Sequence, residues 1–135
     1  TINHGARFAS DDDTRVSEMP AFGRDELLDR DQIDEVANYV LSLSGLDHDA
    51  ALAEKGATVF ADNCASCHGD EGKGDITLGA PNLADAIWLY GDTKDAIVAQ
   101  VTSPRHGVMP AWGPRLGETK VKELAVYIHS LGGGE

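Results

Sequence analysis

Cysteine is nearly absent from this 135-residue chain: Cys64 and Cys67 are the only two, three positions apart. So close a pair excludes a disulfide framework holding the fold together, and the chemistry of these thiols must be local. Positive charge is also scarce. Eleven Lys and Arg stand against 23 Asp and Glu, a formal net charge of −12. That balance argues against nucleic acid and anionic lipid surfaces, which reward basic clusters, and suits a basic protein partner or simple solubility. No apolar run approaches the roughly 20 residues that cross a bilayer, so the chain as given is expected to be soluble. No basic stretch leads into an apolar one as in a secretion signal, and without an initiator Met, Thr1 reads as a cut end. Period-two alternation is missing too, which leaves an all-α fold with long loops. Apolar residues make up 41%, enough for a modest core. A domain of about 80–90 residues is marginal on burial alone and gains from a large buried cofactor.

A repeat organises what is there. Met19-Pro20-Ala21-Phe22-Gly23 returns as Met109-Pro110-Ala111-Trp112-Gly113. Each copy leads into a helical pattern, with Ile33, Val36, Ala37, Tyr39, Val40 and Leu43 matched by Val121, Leu124, Ala125, Tyr127, Ile128 and Leu131. A His-Gly pair precedes each copy, fifteen residues before Met19 (His4-Gly5) but three before Met109 (His106-Gly107). The extra stretch carries Asp11-Asp12-Asp13 and reads as a solvated loop. Residues 1–45 thus match the back half of a unit that residues 50–135 contain whole, with 46–49 as linker.

Asp29 with Gln32 resembles a capping box opening a helix to about Leu43. Asp49 can cap a helix over roughly 50–63 with Leu52, Gly56, Val59 and Phe60 on one side. Chain rich in Gly and punctuated by Pro, from Gly69 to Asn82, should be irregular. Thr93 can cap a helix to about Ser103, and a closing helix runs from about Glu118 to Leu131, stopped by Gly132-Gly133-Gly134. Gly56 and Phe60 are expected to face Tyr127, so that the first and last helices of the complete unit cross closely. The apolar stripe of Ile33, Val36, Val40 and Leu43 should not stay bare in water. It folds onto the second domain, pairs with another copy through residues 1–45, or meets a half supplied by another polypeptide.

Cys64-Ala65-Ser66-Cys67-His68 carries the chemistry. Two thiols three residues apart at a helix end lie on one side of the chain and can add to two neighbouring vinyl groups of one porphyrin. The following histidine is then held beneath the ring, within reach of the iron. A thioredoxin-like pair needs a strand leading into it, and none precedes the motif. Zinc needs further ligands, and no second cysteine pair exists. One covalently bound haem c per chain is therefore expected.

For the other face of the iron the candidates are Met109 and His106. Met109 is preferred: it lies 41 residues after His68, Pro110 stiffens the chain beside it, and the Gly- and Pro-rich loop presents a side chain to a fixed point. A thioether raises the potential and suits electron passage over oxygen binding. Pro81, with only a carbonyl to offer, is the expected acceptor for the other ring nitrogen of His68. Arg105, Trp88 and Tyr90 are candidates for haem propionates. His4, His48 and His129 have no ligand context. No acid–base constellation stands near the motif, so an electron-transfer module is expected and not an enzyme.

These residues resemble the class I cytochrome c family, and more closely the diheme c-type subunit of C-family haem–copper oxidases, the CcoP or FixP type. The similarity lies in Thr14–Gly23, Val36–Gly45, Cys64–His68, Gly79-Ala80-Pro81-Asn82-Leu83, Ile87-Trp88-Leu89-Tyr90-Gly91 and Arg105–Gly113. The resemblance implies a class I cytochrome c fold, here one complete domain after the back half of another. It implies a membrane-anchored parent whose soluble part faces the periplasm and relays electrons from a donor cytochrome to the oxidase core. His68 and Met109 map onto the axial ligands of the second haem, and Met19 onto the distal ligand of the first. The first C-x-x-C-H and the membrane helix of that pattern are not in this sequence. A free periplasmic cytochrome, or the haem domain of a dehydrogenase, is the alternative.

Overall fold

In the computed structural model residues 1–132 are described. They form helices joined by long loops; among them there is no strand, and β pairing is limited to three isolated bridges, Ala6 with Arg15, Ala6 with Met109 and Asp75 with Ala80. The helices are α1 (Arg30–Leu43), α2 (Ala50–Asn63), α3 (Ala65–His68), α4 (Lys94–Thr102) and α5 (Gly113–Ser130). Two compact units result: Met19–Arg105, and Thr1–Glu18 together with His106–Glu135.

In the unit Met19–Arg105, the local signals open each helix. Asp29 and Gln32 form the reciprocal capping box at α1: the Gln32 amide donates to the Asp29 carboxylate at 2.9 Å, and the Asp29 amide to the Gln32 side chain at 3.0 Å. Asp49 accepts from the amides of Ala51 and Leu52 at α2, and Thr93 from that of Ala96 at α4. The apolar stripe of α1 is buried: Ile33, Val36, Ala37 and Val40 pack with Val59 and Phe60 of α2 and Ile97 and Val101 of α4. Of the three fates open to that stripe, folding onto the helix before the Cys-x-x-Cys-His motif is the one seen.

The α1–α2 crossing is close because position 56 is glycine. A Cβ there would stand 2.0 Å from the carbonyl oxygen of Glu35 and 3.0 Å from Cβ of Tyr39. One turn on, the Tyr39 and Phe60 rings meet at 5.1 Å between centroids, tilted by 54°. The partner expected for Gly56 and Phe60 was Tyr127; the contact belongs to Tyr39, its counterpart in the first copy. Tyr127 is 59% exposed. The physical reason is that the repeat makes two helices with the same apolar spacing, and α1 holds the position on α2.

The other unit, read by itself, is built on backbone pairing. Ala6 and Met109 exchange two amide–carbonyl bonds of 3.0 Å, Trp112 donates to Ile2 and Gly113 to Asn3. The Arg7 guanidinium donates to the carbonyls of Gly107 and Ser17. In the inserted loop Asp12 and Asp13 are exposed as expected, while Asp11 accepts from His4 at 3.2 Å. Helix α5 begins earlier than expected, at Gly113, and kinks at Gly117, whose φ of 76° breaks the helix before Glu118. No residue of α5 is buried. Gly132 closes a turn with φ 80°; Gly133 and Gly134 lie outside the described residues.

These units cut across the division into 1–45, 46–49 and 50–135 read from the repeat. Met19–Arg105 joins the back half of the first copy to the front half of the second. The other unit joins the remaining pieces. Both changeovers fall just upstream of a Met-Pro-Ala loop, at Glu18–Met19 and at Arg105–His106.

Candidate haem site

Helix α2 delivers the motif. Cys64 is the residue at which α2 ends and the single turn α3 begins, its amide donating to Phe60 O. The amides of Cys67 and His68 both donate to Cys64 O, at 3.1 and 2.9 Å, which folds the pentapeptide back on itself. Both thiols are free. Cys64 is buried in the core cluster beside Phe60, and Cys67 is exposed. Burial, with a smaller contribution from the neighbouring Cys67, pushes the Cys64 thiol up to about 11, so it is protonated at neutral pH.

His68 is 8% exposed, and its Nδ1 lies 3.0 Å from the carbonyl oxygen of Pro81. Only the tautomer with its proton on Nδ1 donates to a carbonyl, which leaves the Nε2 lone pair for a metal. Burial lowers the pKa of the ring, with the Pro81 carbonyl working against it, so the imidazole is held neutral. The loop that carries Pro81 is itself braced. Asp75 accepts from the Thr77 hydroxyl and from the amides of Thr77 and Leu78, and Asp75 and Ala80 exchange backbone bonds of 3.0 and 2.9 Å.

Arg105 belongs to this unit and is held at three points. Its guanidinium donates to Tyr90 O at 3.3 Å and lies 4.7 Å from the centre of the Tyr90 ring. Its backbone is clamped by Gln100, whose side chain accepts from the Arg105 amide and donates to the Arg105 carbonyl. Trp88 packs against the core cluster. The loops after the motif also expose Ile76, Leu78, Ile87 and Leu89.

Met19 is packed against the core cluster that includes Cys64, in the same unit as His68. Met109 and His106, the two candidates weighed for the second ligand, fall in the other unit. Cys64, Cys67, His68, Pro81, Arg105 and Met19 are thus brought into one unit, and Met109 is not among them. Asn38 was missed at the sequence level: it is 2% exposed and bonds the N-cap of α2. Its signal was a polar residue next to the apolar stripe of α1 where the second copy has Val126.

Two thiols and a neutral imidazole, so placed on one helix end, are the donor set of a c-type haem protein. The chain belongs to the family described as cytochrome c oxidase, cbb3-type, subunit III, whose model matches residues 51–128. It is 57% identical over 135 residues to the cbb3-type cytochrome c oxidase subunit CcoP of Cereibacter sphaeroides, covering all of this chain and 47% of that protein. It is 58% identical over 135 residues to the subunit FixP of Sinorhizobium medicae, covering all of this chain and 46% of the relative. With CcoP of Azospirillum brasilense it shares 51% over 142 residues, covering 48% of that protein. The chain spans about half the length of these curated relatives. Membership in this family implies covalently bound haem c.

Proposed function

We propose that this chain is an electron-transfer module of a cbb3-type oxidase subunit, carrying one haem c on Cys64 and Cys67 with His68 and a methionine as axial ligands. The observation that carries the reading is His68: buried, neutral, and turned by Pro81 so that Nε2 is free. When bound, the haem supplies one-electron chemistry. The thiols of Cys64 and Cys67 hold it covalently, which removes dissociation as a cost to so small a fold. The exposed Ile76, Leu78, Ile87 and Leu89 are apolar surface that a cofactor would take out of water. Arg105, fixed at Tyr90, is the proposed partner of a propionate, with Trp88 and Tyr90 beside it.

For the sixth ligand the proposal is Met109, in the Gly- and Pro-rich loop 41 residues after His68. Met19, packed against the core cluster that includes Cys64, is the rival. A thioether on low-spin iron gives a weak absorption band at the red end of the visible spectrum, which distinguishes the two. Met109→Ala is expected to abolish it and Met19→Ala and His106→Ala to leave it; loss on Met19→Ala alone would give the ligand to the first copy. Intact mass after haem loading should show one haem per chain. Two haems, or a pigment extracted by acidified organic solvent, would overturn the attachment.

Electrons arrive, on this reading, from a donor cytochrome and leave towards the oxidase core. The subunit works on the periplasmic side of a bacterial inner membrane, its parent anchored there. Among the described residues no helix is long and apolar enough to cross a membrane.

A further inference from the structure

The Pro81 carbonyl that orients His68 is itself set in place by a short turn. Asp75 and Ala80 exchange backbone bonds of 3.0 and 2.9 Å, and Pro81 follows Ala80 directly. At the other end of the turn the Gly74 amide donates to the carbonyl of His68 at 2.7 Å. His68 and Pro81 are thereby joined twice: at the ring nitrogen, 3.0 Å from the Pro81 oxygen, and along the backbone by way of Gly74, Asp75 and Ala80. Any displacement of the turn moves that oxygen relative to the ring.

One side chain outside the core cluster holds the turn. A single oxygen of the Asp75 carboxylate accepts from the Thr77 hydroxyl, from the Thr77 amide at 2.7 Å and from the Leu78 amide at 3.3 Å. This is the local bonding by which an Asp side chain fixes the backbone two and three residues on. Gly74 lets the two limbs of the loop touch, backbone to backbone. Its φ is 80°, and a Cβ there would stand 2.5 Å from the Ala80 carbonyl oxygen and 2.7 Å from the Pro81 carbonyl carbon.

The closer the Pro81 oxygen lies to the proton on Nδ1, the more basic the opposite nitrogen becomes. A more basic ligand nitrogen favours ferric over ferrous iron and lowers the reduction potential. We propose that Asp75 is a positioning residue for electron transfer: by bracing the turn from Asp75 to Ala80 it fixes the Pro81 carbonyl on Nδ1 of His68, and so holds the potential of the site down. Its effect on the potential presupposes His68 as an iron ligand, as proposed above.

The test compares Asp75→Ala with Asp75→Asn in the haem-loaded chain. Asn keeps an oxygen to accept from Thr77 and Leu78 and discards the charge, so the difference between the two variants reports position and not electrostatics. Two quantities are read: the potential, by spectroelectrochemical titration, and the solvent exchange of the His68 Nδ1 proton, by NMR of the reduced protein. Relative to Asp75→Asn, Asp75→Ala should exchange that proton faster and shift the one-electron equilibrium towards the ferrous form by about threefold, as expected for one weakened hydrogen bond. Equal values in the two variants would overturn the proposal while leaving haem attachment and ligation intact. A lowered urea midpoint with both quantities unmoved would do the same, since it would show a structural role alone. Should Asp75→Ala fail to load haem, Thr77→Val keeps the carboxylate and both amide donors and removes only the hydroxyl. It should move both quantities in the same direction by a smaller amount, and no movement would count against the proposal. An unaltered chain that keeps no pigment on Cys64 and Cys67 would refute haem attachment itself, and the role of Asp75 with it.

Discussion

Single residues carry much of this fold, and glycine 56 is the plainest case. Gly56→Ala would gain about 1 kcal/mol of helix propensity, yet the new Cβ meets a backbone carbonyl that cannot rotate away. We expect a net loss of about 1–3 kcal/mol, read as a lowered urea midpoint at unchanged slope. Asp75 offers a test of the Pro81 loop. The Thr77 hydroxyl and then the amides of Thr77 and Leu78 hold its carboxyl below the ordinary value of 3.8. A depressed carboxylate stabilises the fold above its unfolded value, and that contribution disappears as pH falls through the depressed one. The Thr77 amide resonance should therefore titrate with a midpoint below 3.8; a midpoint at or above that value would mean the loop is not braced as described. The contact of His68 with Pro81 was legible in the sequence because a proline offers only a carbonyl at that bend. Asn38 was not, since a side-chain amide within a helix reads as surface until the backbone amide that donates to it is found eleven residues away.

Helices show where reading the sequence succeeds and where it stops. The start of α1, α2 and α4 followed from Asp29, Asp49 and Thr93, because caps are local chemistry. The stripes of α1 and α5 were equally visible, but periodicity says only that a helix has an apolar face, not which neighbour covers it. Matched positions make the difference measurable. Val36 is fully buried and its counterpart Leu124 is 39% exposed. Val36→Ala should cost about 2 kcal/mol through lost transfer energy and a residual cavity. Leu124→Ala in this chain should stay within about 0.5 kcal/mol. Equal losses at the two sites, in parallel denaturation curves, would mean that α5 is packed as well as α1.

Across the whole molecule, charge is unevenly shared. Sixteen Asp and Glu against six Lys and Arg fall between Met19 and Arg105, so the acidity gathers in the unit that carries the haem motif. A basic donor cytochrome would be steered there. Its bimolecular rate of electron delivery should fall about tenfold or more as ionic strength rises from about 10 to 150 mM, measured by stopped flow. A rate indifferent to salt would argue for an uncharged docking surface. The all-α class was legible from the lack of alternation. The partition into units was not, because the shared apolar spacing of the two copies does not say which helix packs on α2.

That choice has a consequence for how the protein is made. Met19 leaves the ribosome 45 residues ahead of Cys64, and α1 is finished before α2 begins. The helix that covers α2 is therefore synthesised before the one it covers, and the continuous stretch from Met19 to Arg105 holds the whole α1–α2–α4 core within its own length.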